Sequence, residues 1–206
     1  MSQKVLKEKT LKNNLSLSSR LAAVLVFMFL AGCGSVPVSS IYKLRNLDIK
    51  TTNLAKFYAA VRIPQSLAIR EQGVKIALGF KSEAAEIKFT EHIVMQKIDG
   101  VPSQALKDAK KSGYQIYIFK LTDQDAQKMR VVRSRITRLR KEHEDGTGSL
   151  SIDVKTCKRG SIPVGPLLLS TYLRSAELDD FVVLINDADI RKLGKLEKDI
   201  EEVPIC

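Results

Sequence analysis

Tryptophan is absent from this 206-residue chain, and histidine occurs only at His92 and His143. Without an indole face, a sugar-stacking cleft loses its usual platform. Three cysteines, Cys33, Cys157 and Cys206, with no histidine close in sequence, do not make a zinc site. No Gly-x-Ser-x-Gly elbow raises a serine for attack. Gly146-Thr147-Gly148-Ser149 fits neither a P-loop nor a dinucleotide fingerprint and reads as a hairpin or helix-stop turn. Internal repeats and low-complexity stretches are missing too. The one long apolar run, Leu21 to Leu30, has ten residues, half of the about 20 that a membrane-spanning helix needs. These gaps disfavour catalysis, and the chain reads as a non-enzymatic protein that needs no cofactor or metal.

What is present begins at the N-terminus. Lys4, Lys7, Lys9, Lys12 and Arg20 precede the apolar run and are opposed only by Glu8. A positive flank, a short apolar stretch and small residues describe a secretory leader. The run closes on Leu30-Ala31-Gly32-Cys33, which resembles the bacterial lipobox. That resemblance implies cleavage before Cys33 and covalent diacylglycerol and fatty acyl groups on its sulfur and amine. Two or more acyl chains hold a protein stably to a membrane. Gly34 follows the cysteine where enteric lipoproteins retained at the inner membrane carry aspartate. The resemblance therefore places the protein on the periplasmic side of the outer membrane, with the inner membrane as the alternative. On this reading residues 1–32 are the signal peptide, 33–40 the lipidated tether and 41–206 a single periplasmic domain. A tether of seven extended residues beyond Cys33 reaches at most about 25 Å, which keeps the domain near its leaflet.

Charge is unevenly spread. The chain carries a formal +11, and residues 107–141 hold eleven Lys or Arg against three Asp. Residues 176–206 instead hold nine acidic and four basic residues. A basic band and an acidic tail point to an electrostatic partner, or to each other. Outside the leader the remaining cysteines are Cys157 and Cys206; in an exported chain they are candidates for one disulfide tying the tail to a strand, with free thiols or an interchain bond as alternatives.

The pattern predicts an α+β domain: a mostly antiparallel sheet, one long amphipathic helix packed on a face, and a short C-terminal helix. Strands are expected over Lys56 to Ile63, along the alternating Val74, Ile76, Leu78 and Phe80, and through Ile87 and Phe89, with the alternation blurring at Ile93 to Met95. Further strands fall near Tyr114 to Lys120, Leu150 to Cys157, Leu167 to Leu173 and Phe181 to Ile185, and the short helix over Asp187 to Leu193. Gln72-Gly73 reads as a turn.

The long helix, expected over 123–144, is the candidate contact surface. Met129, Val132, Ile136 and Leu139 form one apolar stripe at helical spacing. Lys128, Arg130, Arg133, Arg135, Arg138, Arg140 and Lys141 surround it. Arg133 and Arg140 flank one edge of the stripe, Lys128 and Arg135 the other. Arginine suits planar carboxylates and phosphates, so an acidic envelope protein, lipid phosphate or polymer would fit this face; nucleic acid would not be met in that compartment. The competing reading is a helix whose arginine stems merely lie over apolar surface. Acids at Glu177, Asp179, Asp180, Asp187 and Asp189 are read as turn and cap residues.

One further likeness involves the mature N-terminus. Gly32-Cys33-Gly34-Ser35, then Ile41-Tyr42-Lys43-Leu44 and the Pro-ending Val61-Arg62-Ile63-Pro64, resemble the opening of auxiliary lipoproteins of bacterial lipid-transport ABC systems. That likeness implies an accessory that handles lipid or docks on a transporter.

Overall fold

Alternation along Val74 to Phe80 puts Val74, Ile76 and Leu78 in the core and Lys75, Ala77 and Gly79 on the opposite face of the sheet. This strand organises the fold. In the computed structural model, which describes Ser40, residues 47–48, 51–192 and 203–206, it belongs to β2 (Leu67–Ser82). β2 pairs antiparallel with β3 (Ile87–Val94) on one side and with β6 (Thr147–Lys158) on the other. A second sheet holds β1 (Tyr58–Pro64), β4 (Gln96–Ile98), β5 (Tyr114–Lys120), β7 (Leu168–Arg174) and β8 (Val182–Asp189) in the order β4-β5-β1-β7-β8. All of its pairings are antiparallel. The fold is α+β and mostly antiparallel sheet.

The blurred alternation near Ile93 to Met95 has a plain cause. β3 ends at Val94 and β4 begins at Gln96, so the chain leaves one sheet and enters the other at Met95. Met95 is buried, and its N–H donates to the Val74 carbonyl at 3.0 Å. Gln72-Gly73 is not the turn into a strand, as the sequence suggests; both residues lie inside β2.

The α-helices Gln104–Asp108 and Asp123–Glu142 and a 3-10 turn at Leu54–Lys56 accompany the sheets. α1 (Gln104–Asp108) is a single turn capped by the Ser103 hydroxyl, which accepts from the Leu106 N–H at 3.0 Å. Leu106 packs with Ala60, Tyr172 and Phe181 on the outer face of the five-stranded sheet. α2 (Asp123–Glu142) starts at Thr122, whose hydroxyl accepts from the Asp125 N–H at 3.1 Å, and ends at His143. Ala126 and Met129 of α2 join the main core, where Ala59, Val61 and Ile63 of β1 meet Val74, Ile76 and Leu78 of β2. Farther along, Ile136 and Leu139 are only half-buried. Gly146 closes the stop: a Cβ there would lie 2.6 Å from the Phe80 ring.

The short C-terminal helix expected over 187–193 is corrected by β8, which runs through Asp189, with a turn at 190–192; residue 193 lies outside the described residues. The Asp187 carboxylate binds Arg62, which holds this segment as strand, while the Asp189 carboxylate accepts from the Leu167 N–H and, as a turn residue, from the Arg191 N–H at 3.1 Å.

Cys157 and Cys206 are joined as a disulfide with Cα atoms 5.0 Å apart. The tail docks alongside β6: the Lys158 N–H donates to the Pro204 carbonyl and the Cys206 N–H to the Lys158 carbonyl. Closing a loop of 49 residues stabilises by about 4 kcal/mol on the chain-entropy view.

Candidate functional site

Helix α2 sorts its seven cations into three directions. Arg133 and Arg140 turn toward β6, where with Ile136, Gly148 and Leu150 they border a shallow groove of about 130 Å³. Arg133 also donates to the Thr52 carbonyl at 2.9 Å, tying the helix to the segment before β1. Toward β3, the Arg135 guanidinium lies 4.0 Å from the centre of the Phe89 ring and 3.8 Å from Glu91. Its planar cation gains from the ring's negative face while its stem covers apolar surface. Lys128, on the same side but at the helix head, pairs with Asp125 at 3.0 Å.

The third direction is solvent. Arg130, Arg138 and Lys141 are exposed and share the outer ridge with Val131, which is 62% exposed. Among the described residues Arg130 reaches only Gln127 of its own helix, and Arg138 only Glu142 at 3.9 Å. Such exposed pairs are worth a few tenths of a kcal/mol, so they hold these side chains only weakly.

At the head of α2 a cleft of about 600 Å³ opens between the helix, β5, the β3–β4 junction and β2. Its rim carries Arg70, Lys97, Lys128 and Arg159, against Glu71 and Asp125. Arg159 donates to the Tyr117 hydroxyl at 3.2 Å, and the Lys97 ammonium sits 4.9 Å from the centre of the same ring. Burial raises the Asp125 pKa, but hydrogen bonds from Thr122 and Lys128 outweigh it and leave the carboxyl below its ordinary value. Arg70, Lys97, Tyr117 and Arg159 come from separate segments, and none stands out as a site residue in sequence. The available signal was Gly73, since a glycine inside a strand pattern marks a bulge or a close backbone approach.

The acidic residues have local duties. Asp180 accepts from the Ala105 N–H at 2.9 Å and the Phe181 N–H at 2.7 Å, fixing α1. Glu177 accepts from the Thr52 and Ser175 hydroxyls, each at 2.6 Å. His92, opposite Ala77 of β2, contacts Asp153, opposite Lys75, diagonally at 2.9 Å, and the His143 backbone N–H donates to the Leu139 carbonyl as the cap of α2. Cys33 and the leader lie outside the described residues; of the 33–40 tether only Ser40 is described, and it is buried.

No family model, curated protein or solved structure matches this chain.

Proposed function

We propose that this protein is a non-enzymatic lipoprotein of the bacterial envelope, anchored through acyl groups on Cys33 and binding an anionic partner through α2, the long amphipathic helix of the fold. The reading puts it on the periplasmic side of the outer membrane. The observation that carries it is the outer ridge of α2, where Arg130, Arg138 and Lys141 are exposed and, among the described residues, Arg130 and Arg138 pair only within their own helix, while Met129 seals the core beneath. A ridge of this kind suits phosphate or carboxylate groups on an acidic envelope protein, a lipid headgroup or a polymer. Its energy comes from charge, so binding weakens as salt shortens the screening length below about 10 Å.

The test uses the Cys33→Ala chain, so that acyl groups do not supply the binding, with and without Arg130→Ala, Arg138→Ala and Lys141→Ala together. Sedimentation with phosphatidylglycerol vesicles and photo-crosslinking in cells from position 131 give the two readouts. A loss of both signals in the triple variant supports the proposal; equal signals in the two chains contradict it.

A second reading, an auxiliary lipoprotein of an ABC-type lipid or solute transport system, is favoured by the cleft at the head of α2, whose mixed apolar and cationic lining suits lipid better than an acidic protein surface.

A further inference from the structure

The cleft owes its shape to a break in the β2–β6 ladder. Ile69 pairs with Thr156 and Val74 with Val154, so four residues of β2, Arg70 to Gly73, stand opposite the single Lys155. A bulge of this kind bends its strand and re-aims side chains. Gln72 takes φ 52°, a left-handed conformation that costs a non-glycine residue about 1 kcal/mol or more. Next to it Gly73 admits no side chain, because a Cβ would lie 2.6 Å from both the Arg70 and Lys155 carbonyl oxygens. Sequence and backbone together hold a strained excursion whose effect is to set Arg70 and Glu71 on the rim of the cleft.

The lining has two chemistries. Ile69, Val94 and Tyr117 are half-buried and line the cleft over the buried Met95 and Phe119. Around them stand four cations and two carboxylates, and one carboxylate, Asp125, is already taken up by Lys128 and Thr122. Among the described lining residues Arg70, Lys97 and Arg159 therefore face Glu71 alone, an excess of positive charge beside half-buried apolar surface. Arg159 spends one N–H on the Tyr117 hydroxyl and keeps the rest of its fork. A volume of about 600 Å³ falls within the roughly 300–1,000 Å³ of small-molecule sites.

We infer that this cleft binds a single-chain acyl anion, with its carboxylate or phosphate monoester at Arg70, Lys97 and Arg159 and its chain over Ile69, Val94 and Tyr117. A bare phosphate leaves the apolar lining unused, and a neutral lipid leaves the cations unpaired. The site is separate from the outer ridge of α2 and stands whether or not that ridge binds a partner.

The experiment titrates the purified full chain with the fluorescent fatty acid cis-parinaric acid. Palmitate, 1-palmitoyl lysophosphatidic acid, inorganic phosphate and 1-palmitoylglycerol serve as competitors. One saturable probe per chain is expected, displaced by the two acyl anions but not by phosphate or the neutral glyceride at equal concentration. Arg70→Ala with Lys97→Ala raises the probe's Kd at least tenfold, whereas Lys88→Ala with Lys107→Ala, two exposed lysines outside the cleft, leaves it unchanged. Arg70 and Lys97 are exposed, and an unchanged urea midpoint shows that the rim variant is folded. Ile69→Asp, which places a negative charge on the apolar wall, abolishes binding. The inference is overturned by an absence of saturable binding, by equal displacement with phosphate or 1-palmitoylglycerol, or by a folded rim variant that binds like the wild type.

Discussion

Arg62 of β1 and Asp187 of β8 sit two strands apart, and the guanidinium of one meets the carboxylate of the other at 2.5 Å. Between them, on β7, the Ser170 hydroxyl accepts from Arg62 at 2.9 Å and from the Asp187 N–H at 2.9 Å. Arg62 is 7% exposed and also donates to the Ala109 carbonyl at the end of α1. One buried cation thus ties three strands and the helical turn that covers them.

Replacing the acid tests that tie. Asp187 holds φ 46°, and asparagine tolerates this conformation, so Asp187→Asn removes the charge without adding backbone strain. Arg62 then keeps its burial and loses its counter-charge. We expect a loss of about 1–3 kcal/mol, read as a lower urea midpoint with unchanged slope. A midpoint equal to the wild type would show that Ser170 and Ala109 satisfy the arginine alone.

The tail gives a second expectation. Cys206→Ser opens the 49-residue loop and should destabilise by up to about 4 kcal/mol. The backbone bonds from Lys158 to the tail should open with it, so hydrogen exchange at the Cys206-equivalent amide rises. Wild-type stability in the variant, measured by urea unfolding without reductant, would mean that the β6 edge holds the tail unaided.

Acid should unfold the domain through identifiable carboxylates. Burial raises the Asp180 pKa, but hydrogen bonds from the Ala105 N–H, the Ser103 hydroxyl and the Phe181 and Gln104 N–H groups outweigh it and hold the carboxyl below its ordinary 3.8. At Glu177, burial is likewise outweighed by the Ser175 and Thr52 hydroxyls. A lowered folded pKa makes the unfolded chain the better proton binder. The stability is then complete above the unfolded value and lost as pH falls through the folded one. For these groups the loss belongs below about pH 4.5. Asp180→Asn should flatten part of that decline in a series of urea melts from pH 6 to pH 2.5. An acid limb identical to the wild type would remove Asp180 from the account.

Strands were legible wherever one face is buried. Val74, Ile76 and Leu78 alternate because their partners, Ile93 of β3 and Val154, Ile152 and Leu150 of β6, complete one apolar surface. By contrast, α1 is too short for any helical period, and it depends on Asp180, far along the chain, to hold its first turn. The C-terminal helix failed because Asp187 resembles a cap in sequence, while the partner that decides its role, Arg62, lies 125 residues away. The basic helix could be read as a whole, yet which arginine faces solvent depends on Phe89, Glu91 and Thr52. The cleft was hidden for the same reason. Its bulge is a matter of register between β2 and β6, and register between distant strands leaves only Gly73 as a trace in sequence.

The proposed acyl anchor on Cys33 is tested by growing cells with radioactive palmitate, comparing the wild type with Cys33→Ala and separating the two membranes. Label is expected in the wild-type protein, recovered in the outer membrane, and none in the variant. A wild-type chain that takes up no label, or a variant labelled equally, would contradict it.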